Sequence, residues 1–356
     1  MAQKLRMGYV GCGFMAQKVH MPNILALEEC ELLAIAEVRP KLAREVAWSL
    51  GVPRVYRDHR ELALDNDIEA VAVSLHGAVQ GDVAADLLLA GKHVFLEKPM
   101  AISIEQGERI LNAERDSGCR LMIGYMKRYD AGNVLFKEML DGLRKSGELG
   151  AIRFARNHGF CGDWSAGLDT PFIATDEPYP APPPSGPAWM PEHFWNAYYG
   201  YLQQYTHNVN LLRWFLGPDQ PVKVKSVDLD SDGITGIVVL ELGGVRAVIE
   251  SGWVAYHGWE EHTQIYFAKG WMKTCAPPLL LRNVPASLEI YRGETEQKTL
   301  SDVFPPGGRT WSYKEEMRQF ALCVKNGQPF RSPASDAIED VRALEEIYRK
   351  HVGCLK

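Results

Sequence analysis

Leu5-Arg6-Met7-Gly8-Tyr9-Val10-Gly11-Cys12-Gly13-Phe14-Met15-Ala16 is the stretch that decides the fold. A short apolar run ends in G-x-G-x-x-A and leads into an amphipathic segment, Ala16–Leu27. Gly11 permits a tight turn, and Gly13 lets the backbone come close to a pyrophosphate. Ala16 is small enough for a helix to pack on the strand, with Phe14 and Met15 completing the turn at the helix N-terminus. Turn glycines without a ligand would give the same letters, so the context decides. A strand precedes, a helix follows, and the acidic Glu37 ends the second apolar run about 20 residues on. Glu37 can accept hydrogen bonds from adenosine ribose hydroxyls, and its charge repels a 2′-phosphate. That favours NAD. Arg39 could instead meet the phosphate, which keeps NADP as the weaker alternative.

Working outward, short apolar runs alternate with amphipathic ones as far as Ile123, the βαβ pattern of a parallel sheet. Strands are expected at Leu5–Val10, Leu32–Ala36, Ala70–Ser74, His93–Leu96 and Arg120–Ile123. Helices are expected at Ala16–Leu27, Lys41–Leu50, Gln80–Ala90 and Ile104–Ser117. Residues 1–123 therefore read as an α/β Rossmann domain with a doubly wound parallel sheet. Residues 124–356 read as an α+β domain with a large, mostly antiparallel sheet. Its expected helices are Asn133–Leu143, Leu202–Leu216, Tyr313–Asn326 and Ala334–Lys350. Its expected strands are Ile152–Arg156, Val222–Leu229, Gly236–Leu242, Arg246–Val254, Thr263–Ala268, Gly270–Thr274 and Ser287–Tyr291. Between them Phe160–Gly200 is crowded with prolines, which argue against a regular helix or central strand. Trp164, Phe172, Trp189, Phe194 and Trp195 are costly to leave in water, so the excursion reads as ordered, with a substrate lid as its role.

Composition narrows the class. The chain has 356 residues, 46% hydrophobic and 24% charged, and a net charge of −6 without a dense basic block. That is a globular, two-domain chain that offers no clustered positive field to nucleic acid. Seven scattered cysteines, none in C-x-x-C spacing, suggest reduced thiols and no metal site. No secretory pattern opens the chain and no apolar stretch is long enough for a membrane span, so a soluble, cytoplasmic protein is expected.

A second motif, Gly91-Lys92-His93-Val94-Phe95-Leu96-Glu97-Lys98-Pro99, ends a strand in a Glu-Lys pair. Carboxyl ends of parallel strands line the ligand crevice, which would bring Glu97 and Lys98 near a nicotinamide. The glycine fingerprint, Glu37, this motif and the helix Ile104–Ser117 together resemble the Gfo/Idh/MocA family of sugar and cyclitol oxidoreductases. Gly124-Tyr125-Met126-Lys127-Arg128-Tyr129-Asp130 is similar to the inositol dehydrogenase branch. The closing segment with Glu316, Phe320, Gly327 and Ser332–Ala337 fits as well.

The resemblance implies hydride transfer between a nicotinamide and a secondary alcohol or ketone of a sugar, cyclitol or glycoside. It also implies a homodimer or homotetramer. The family's Asp-x-x-x-His aligns with Gln203-Gln204-Tyr205-Thr206-His207, so His207 matches and the aspartate is replaced by Gln203. Lys98 and His207 are the candidate proton carriers. A lysine desolvated beside a cationic ring loses its proton more readily than a surface lysine. Ser74, Leu75, His76 and Gln80 are cofactor candidates, although Leu75-His76 replaces the usual Thr-Pro and Gln80 a frequent His. Tyr125, Met126, Lys127, Arg128, Asn157, Asp163, Trp164 and, more remotely, His193 are substrate candidates. Two other readings stay open: a retained NAD that drives elimination or glycoside cleavage by transient oxidation, and a non-catalytic sensor.

Overall fold

Residues 5–124 hold six parallel strands, the five expected from the sequence and a short one, Arg54–Tyr56, that was not. In the computed structural model the described residues are 4–163, 165, 172–182, 185–217, 221–254, 258–301, 303 and 311–354. The chain divides into two compact units. One holds Met1–Tyr125, Thr170–Ala188 and Tyr313–Val341; the other holds Met126–Asp169, Trp189–Ser312 and Arg342–Lys356. The first crossing falls two residues beyond the boundary read from the sequence, and the chain later returns to the first unit twice.

In the first unit, β1 (Leu5–Val10), β2 (Cys30–Ala36), β3 (Arg54–Tyr56), β4 (Ala70–Val73), β5 (His93–Glu97) and β6 (Leu121–Gly124) lie in the order β3-β2-β1-β4-β5-β6. Every pair is parallel. Helices cover both faces, which is why β4, Ala-Val-Ala-Val, is buried at every residue. The first helical run is not uniform: Ala16–His20 is wound as a π-helix before α1 (Met21–Leu25). Pro22 lacks the amide that would close an ordinary turn, and a widened turn is the usual accommodation. The other helices here are α2 (Pro40–Leu50), α3 (His59–Ala63), α4 (Gly77–Leu89) and α5 (Ile104–Ser117). Ser103 caps α5 by accepting the Gln106 amide at 3.2 Å, a contact worth about 1 kcal/mol. Burial counts for more. Val71, Leu87, Leu88, Val94, Leu96 and Ile110 pack in one core, each contributing about 1.5–3 kcal/mol.

In the second unit, α6 (Ala131–Ser146) leads to β7 (Ile152–Cys161) and α7 (Trp195–Leu216). Then follow β8 (Val222–Leu229), β9 (Gly236–Leu242), β10 (Val245–Trp253), β11 (Trp259–Phe267), β12 (Gly270–Ala276), β13 (Ser287–Arg292) and β14 (Gln297–Ser301). The eight strands order as β14-β13-β12-β11-β7-β10-β9-β8. Only the β7–β10 pair is parallel. Burial alternates along β11: Glu261, Thr263, Ile265 and Phe267 face inward, while Glu260, His262, Gln264 and Tyr266 face out. The inner face receives α7 closely. A Cβ on Gly159 of β7 would come within 2.7 Å of the Asn208 amide nitrogen. The chain closes with α8 (Ser312–Asn326) and α9 (Ala334–Cys354).

Two expectations need correction. The proline-rich excursion is shorter than 160–200, because β7 runs through Cys161 and α7 begins at Trp195. Pro191 is the last proline of the stretch, so nothing prevents a helix four residues later. The expected strand Ile152–Arg156 is likewise only the first half of β7.

Candidate functional site

The turn after β1 is shaped by its two glycines. Gly11 has φ +95°, and a Cβ there would lie 2.6 Å from the Ser74 carbonyl oxygen and 2.8 Å from a Leu75 methyl. The ends of β1 and β4 therefore sit side by side where the strand order reverses, the usual place for a ligand in such a sheet. A Cβ on Gly13 would meet nothing within 4 Å, whereas Ala16 is fully buried. Open space over Gly13 at the start of a helical run is the cradle a pyrophosphate requires. The residues present fit a dinucleotide.

Glu37 extends from the end of β2 to this turn. Its Oε2 accepts the Cys12 amide at 2.8 Å, and its Oε1 accepts the Arg39 amide at 3.1 Å. The Arg39 guanidinium pairs with both oxygens, at 2.9 and 3.0 Å. Burial pushes the neighbouring Cys12 thiol up to about 12, and the Glu37 charge adds to this, so Cys12 stays a neutral packing group. Phe14 packs edge-on to Phe172, while Met15 is half-buried ahead of the helical run. Ser74 accepts a hydrogen bond from Tyr9 at 2.7 Å. His76 caps α4, its Nδ1 accepting the Ala78 amide at 3.2 Å, and burial lowers its pKa.

Lys98 follows β5 directly and is half-buried. Its position is set by neighbours. Its backbone amide donates to Glu97 Oε2 at 2.9 Å, and Glu97 Oε1 lies 2.8 Å from His20 Nε2. Gln80 donates to the carbonyls of Glu97, at 2.9 Å, and Pro99, at 2.6 Å, clamping both sides of the cis Lys98–Pro99 bond. Gln80 is thus spent on the backbone that carries Lys98. Below it His20, Glu97 and Glu316 each bring a ligand-type atom within 4.8 Å of the others, the one such trio among the described residues. Burial, with the Glu97 charge adding to it, pushes the Glu316 carboxyl well above the usual carboxylate range.

A second polar group lies in the other unit, along α7. Gln203 is half-buried and donates to the Tyr199 hydroxyl at 2.6 Å, while His207 one turn on is only 4% exposed. Asn208 donates to Asn157 at 2.6 Å, and Asn157 donates to Thr263 at 2.8 Å. Asn157 is therefore a buried bridge between α7 and β11. Arg128 donates to the Asn210 side chain at 2.7 Å. Lys127 pairs with buried Glu261 and lies 5.9 Å from the Trp259 ring centre. Met126 precedes them in the same short 3₁₀ turn, also buried.

Other candidates lie elsewhere. Tyr125 is buried in the hydrophobic core of the first unit. Asp163 is exposed and caps its own turn through Ser165. His193 is exposed against Phe194. Trp164 lies outside the described residues. The residues that sequence reasoning missed include His20, Gln17, Thr263 and Glu261. Each is a polar side chain on a helical segment or strand, and its role depends on a partner distant in the chain.

Residues 5–125 match the sequence model of a family described as an oxidoreductase family with an NAD-binding Rossmann fold. The chain is 25% identical over 334 residues to a myo-inositol 2-dehydrogenase of Thermotoga maritima, covering 91% of this chain and 90% of that one. An inositol 2-dehydrogenase of Burkholderia lata is 27% identical over 77% of this chain and 75% of its own. An aldose–aldose oxidoreductase from Caulobacter crescentus, solved with glycerol, superposes with a TM-score of 0.75 at 20% identity, over 99% and 98% of the two chains. A 3-ketoreductase from Actinomadura kijaniata, solved with NADP and TDP-benzene, gives 0.73 at 20% identity over 98% of each chain. No described helix is long and apolar enough to cross a membrane. With its glycine turn, its Glu37 and the Lys98 clamp in one Rossmann unit, residues 5–125 carry the NAD-binding Rossmann fold of the Gfo/Idh/MocA oxidoreductase family, and the chain is similar along most of its length to inositol 2-dehydrogenases.

Proposed function

We propose that the protein is an NAD-preferring dehydrogenase or reductase of a secondary alcohol or ketone on a sugar, cyclitol or glycoside. The observation that carries this reading is the pairing of an open Gly13 cradle with a carboxylate, Glu37, at the end of β2. Bound there, a nicotinamide dinucleotide supplies the hydride acceptor or donor. Gly11, Gly13 and the start of the helical run would hold its pyrophosphate, and Glu37 its adenosine ribose. Lys98, held by Glu97 and Gln80, is assigned to the reacting oxygen or its proton. His207 is assigned as the other proton carrier. Lys127, Arg128 and Asn157 are already paired inside their unit, so they support the shape of a polyol site more than they supply free donors.

The test is a panel of polyols, cyclitols and glycosides with NAD and NADP, followed at the absorbance of the reduced nicotinamide. Turnover of at least one polyol with NAD supports the reading, and inertness towards every polyhydroxylated substrate in both directions defeats it. A retained cofactor is favoured by residues 172–179, which are tied to the glycine turn through Gln17. Nicotinamide absorbance that survives desalting would support that second reading.

We also infer self-association through the outer face of the eight-stranded sheet. Phe154, Tyr266, Trp271 and Tyr291 stand opposite one another across four adjacent strands, and Trp253 is 46% exposed. An open aromatic row of this kind suits a partner surface. Light scattering giving a monomer mass at micromolar concentration would overturn this.

A further inference from the structure

Part of the proline-rich excursion belongs to the first unit, and it lies on the same two segments that form the dinucleotide site. Phe172 packs edge-on to Phe14, with ring centres 5.8 Å apart. The Gln17 amide pairs with Ile173 in both directions, donating to its carbonyl at 3.0 Å and accepting its amide at 2.8 Å. The same Gln17 nitrogen donates to the Cys12 carbonyl at 2.7 Å, so residue 173 is fixed directly to the glycine turn. Further on, Tyr179 lies 5.6 Å from the Arg39 guanidinium.

Between these points the segment delivers charge to the start of α2. Pro40 has no amide to offer, and Glu37 already takes the amide of Arg39. The next two amides are taken by Glu177: Oε1 accepts from Lys41 at 2.9 Å and Oε2 from Leu42 at 2.8 Å. Thr175 steadies the same carboxylate at 2.9 Å. Partial desolvation pushes this carboxyl up, but the two amides and the Thr175 hydroxyl more than offset it and hold it below its usual range. Asp176 takes the Lys41 ammonium at 2.7 Å.

A ribose read by Glu37 would have its 2′ position at this corner, between the end of β2 and the start of α2. A 2′-phosphate there needs helix amides and a cation. Here the amides are filled by Glu177, Lys41 is held by Asp176, and Arg39 is held between Glu37 and Tyr179. Three carboxylates face two cations before any ligand arrives.

We propose that Glu177 is a cofactor-specificity residue. Its carboxylate occupies the anion position at the start of α2 and excludes the 2′-phosphate of NADP, with Asp176 as its second. This rests on the NAD-preferring reading above and adds a determinant far in sequence from Glu37. The excursion thereby reads the cofactor as well as covering its site.

The experiment measures dissociation constants of NADH and NADPH by nicotinamide fluorescence, for wild type, Glu177→Gln, Glu177→Ala and Asp176→Asn. Asp176 is exposed and Glu177 half-buried, and circular dichroism checks that the variants fold. NADPH should tighten at least about tenfold in both Glu177 variants, while NADH shifts by less than about threefold. Asp176→Asn should give a smaller gain, because Lys41 is exposed and screened. Equal changes for both nucleotides, or none, would overturn the proposal. The wild-type ratio tests the other reading separately. Tighter NADPH binding by wild type would defeat NAD preference, while a further gain for NADPH in Glu177→Gln would still show Glu177 opposing the phosphate.

Discussion

Arg39 lies along the Glu37 carboxylate in a two-point pair, Nε 2.9 Å from Oε1 and Nη2 3.0 Å from Oε2. With the Cys12 and Arg39 amides also bound, each carboxylate oxygen accepts two hydrogen bonds. The two residues that the sequence offers as rivals, one for NAD and one for NADP, are therefore one unit. A ribose diol that binds Glu37 must displace part of the guanidinium.

Replacing Glu37 by Ser should weaken NADH binding about tenfold and release Arg39 towards a 2′-phosphate. The difference in kcat/KM between NAD and NADP should narrow, as steady-state assays with both cofactors would reveal. A variant that keeps the wild-type ratio would remove Glu37 from cofactor choice and leave the task to the residues at the start of α2.

Lys98→Met should lower turnover by at least about 10²-fold while leaving NADH affinity nearly unchanged. The reason is positional. Lys98 stands at the end of β5, and its backbone is held by Glu97 and by Gln80 rather than by the glycine turn. Parallel fluorescence titration and rate measurements separate the two effects. Near-normal turnover would take Lys98 out of the chemistry.

Acid should weaken the second unit through His262. Desolvation, with the charges of Lys273, His158 and Arg156 beside it, pushes its pKa down from 6.5 to about 4, against a smaller opposing pull from Glu260. His158 stacks on it at 5.0 Å and itself pairs with Glu250. The folded pKa lies below the unfolded one, so between these values the unfolded chain binds more protons. Stability is then fully present above about pH 6.5 and declines as pH falls towards 4. Thermal melts over this range should show a shallower decline for His262→Gln than for wild type. Identical slopes would mean that His262 is not the group responsible.

How much of this was legible in the sequence varies with the range of the interaction that matters. Gly11, Gly13 and Glu37 act through local backbone geometry at strand ends, so their pattern can be read from spacing alone. The β5 motif is legible for the same reason. β3, Arg-Val-Tyr, is too short to show a period, and β14, Gln297–Ser301, is almost wholly exposed and carries no apolar alternation. The first two turns of α7 are rich in Trp and Tyr, which have modest helix propensity, and they merge with the proline-rich stretch before them. Glu177 is the extreme case. Nothing near it in sequence says that its carboxylate will meet the Leu42 amide 135 residues away.

The neutral side chain of Gln203, one turn before His207, gives the sharpest test of the proton carriers. Gln203 stands one helical turn before His207, and its amide nitrogen donates to the Tyr199 hydroxyl at 2.6 Å. It is thus a neutral group that donates to a neutral hydroxyl. Installing the carboxylate, Gln203→Asp, should favour the imidazolium and raise the pKa of His207, since an opposite charge within about 4–6 Å stabilises the protonated form. In alcohol oxidation the base must be unprotonated, so the limb of the kcat/KM profile that belongs to His207 should move to higher pH. In ketone reduction the acid stays protonated longer, and activity should extend to higher pH. The Tyr199 hydroxyl would donate to the new carboxylate and soften its effect, so adding Tyr199→Phe should enlarge the shift. His207→Asn identifies the limb, because it should remove it. If the profile of a folded, NADH-binding Gln203→Asp variant is unchanged, residues 203 and 207 are not coupled, and Lys98 remains as the sole carrier of the proton.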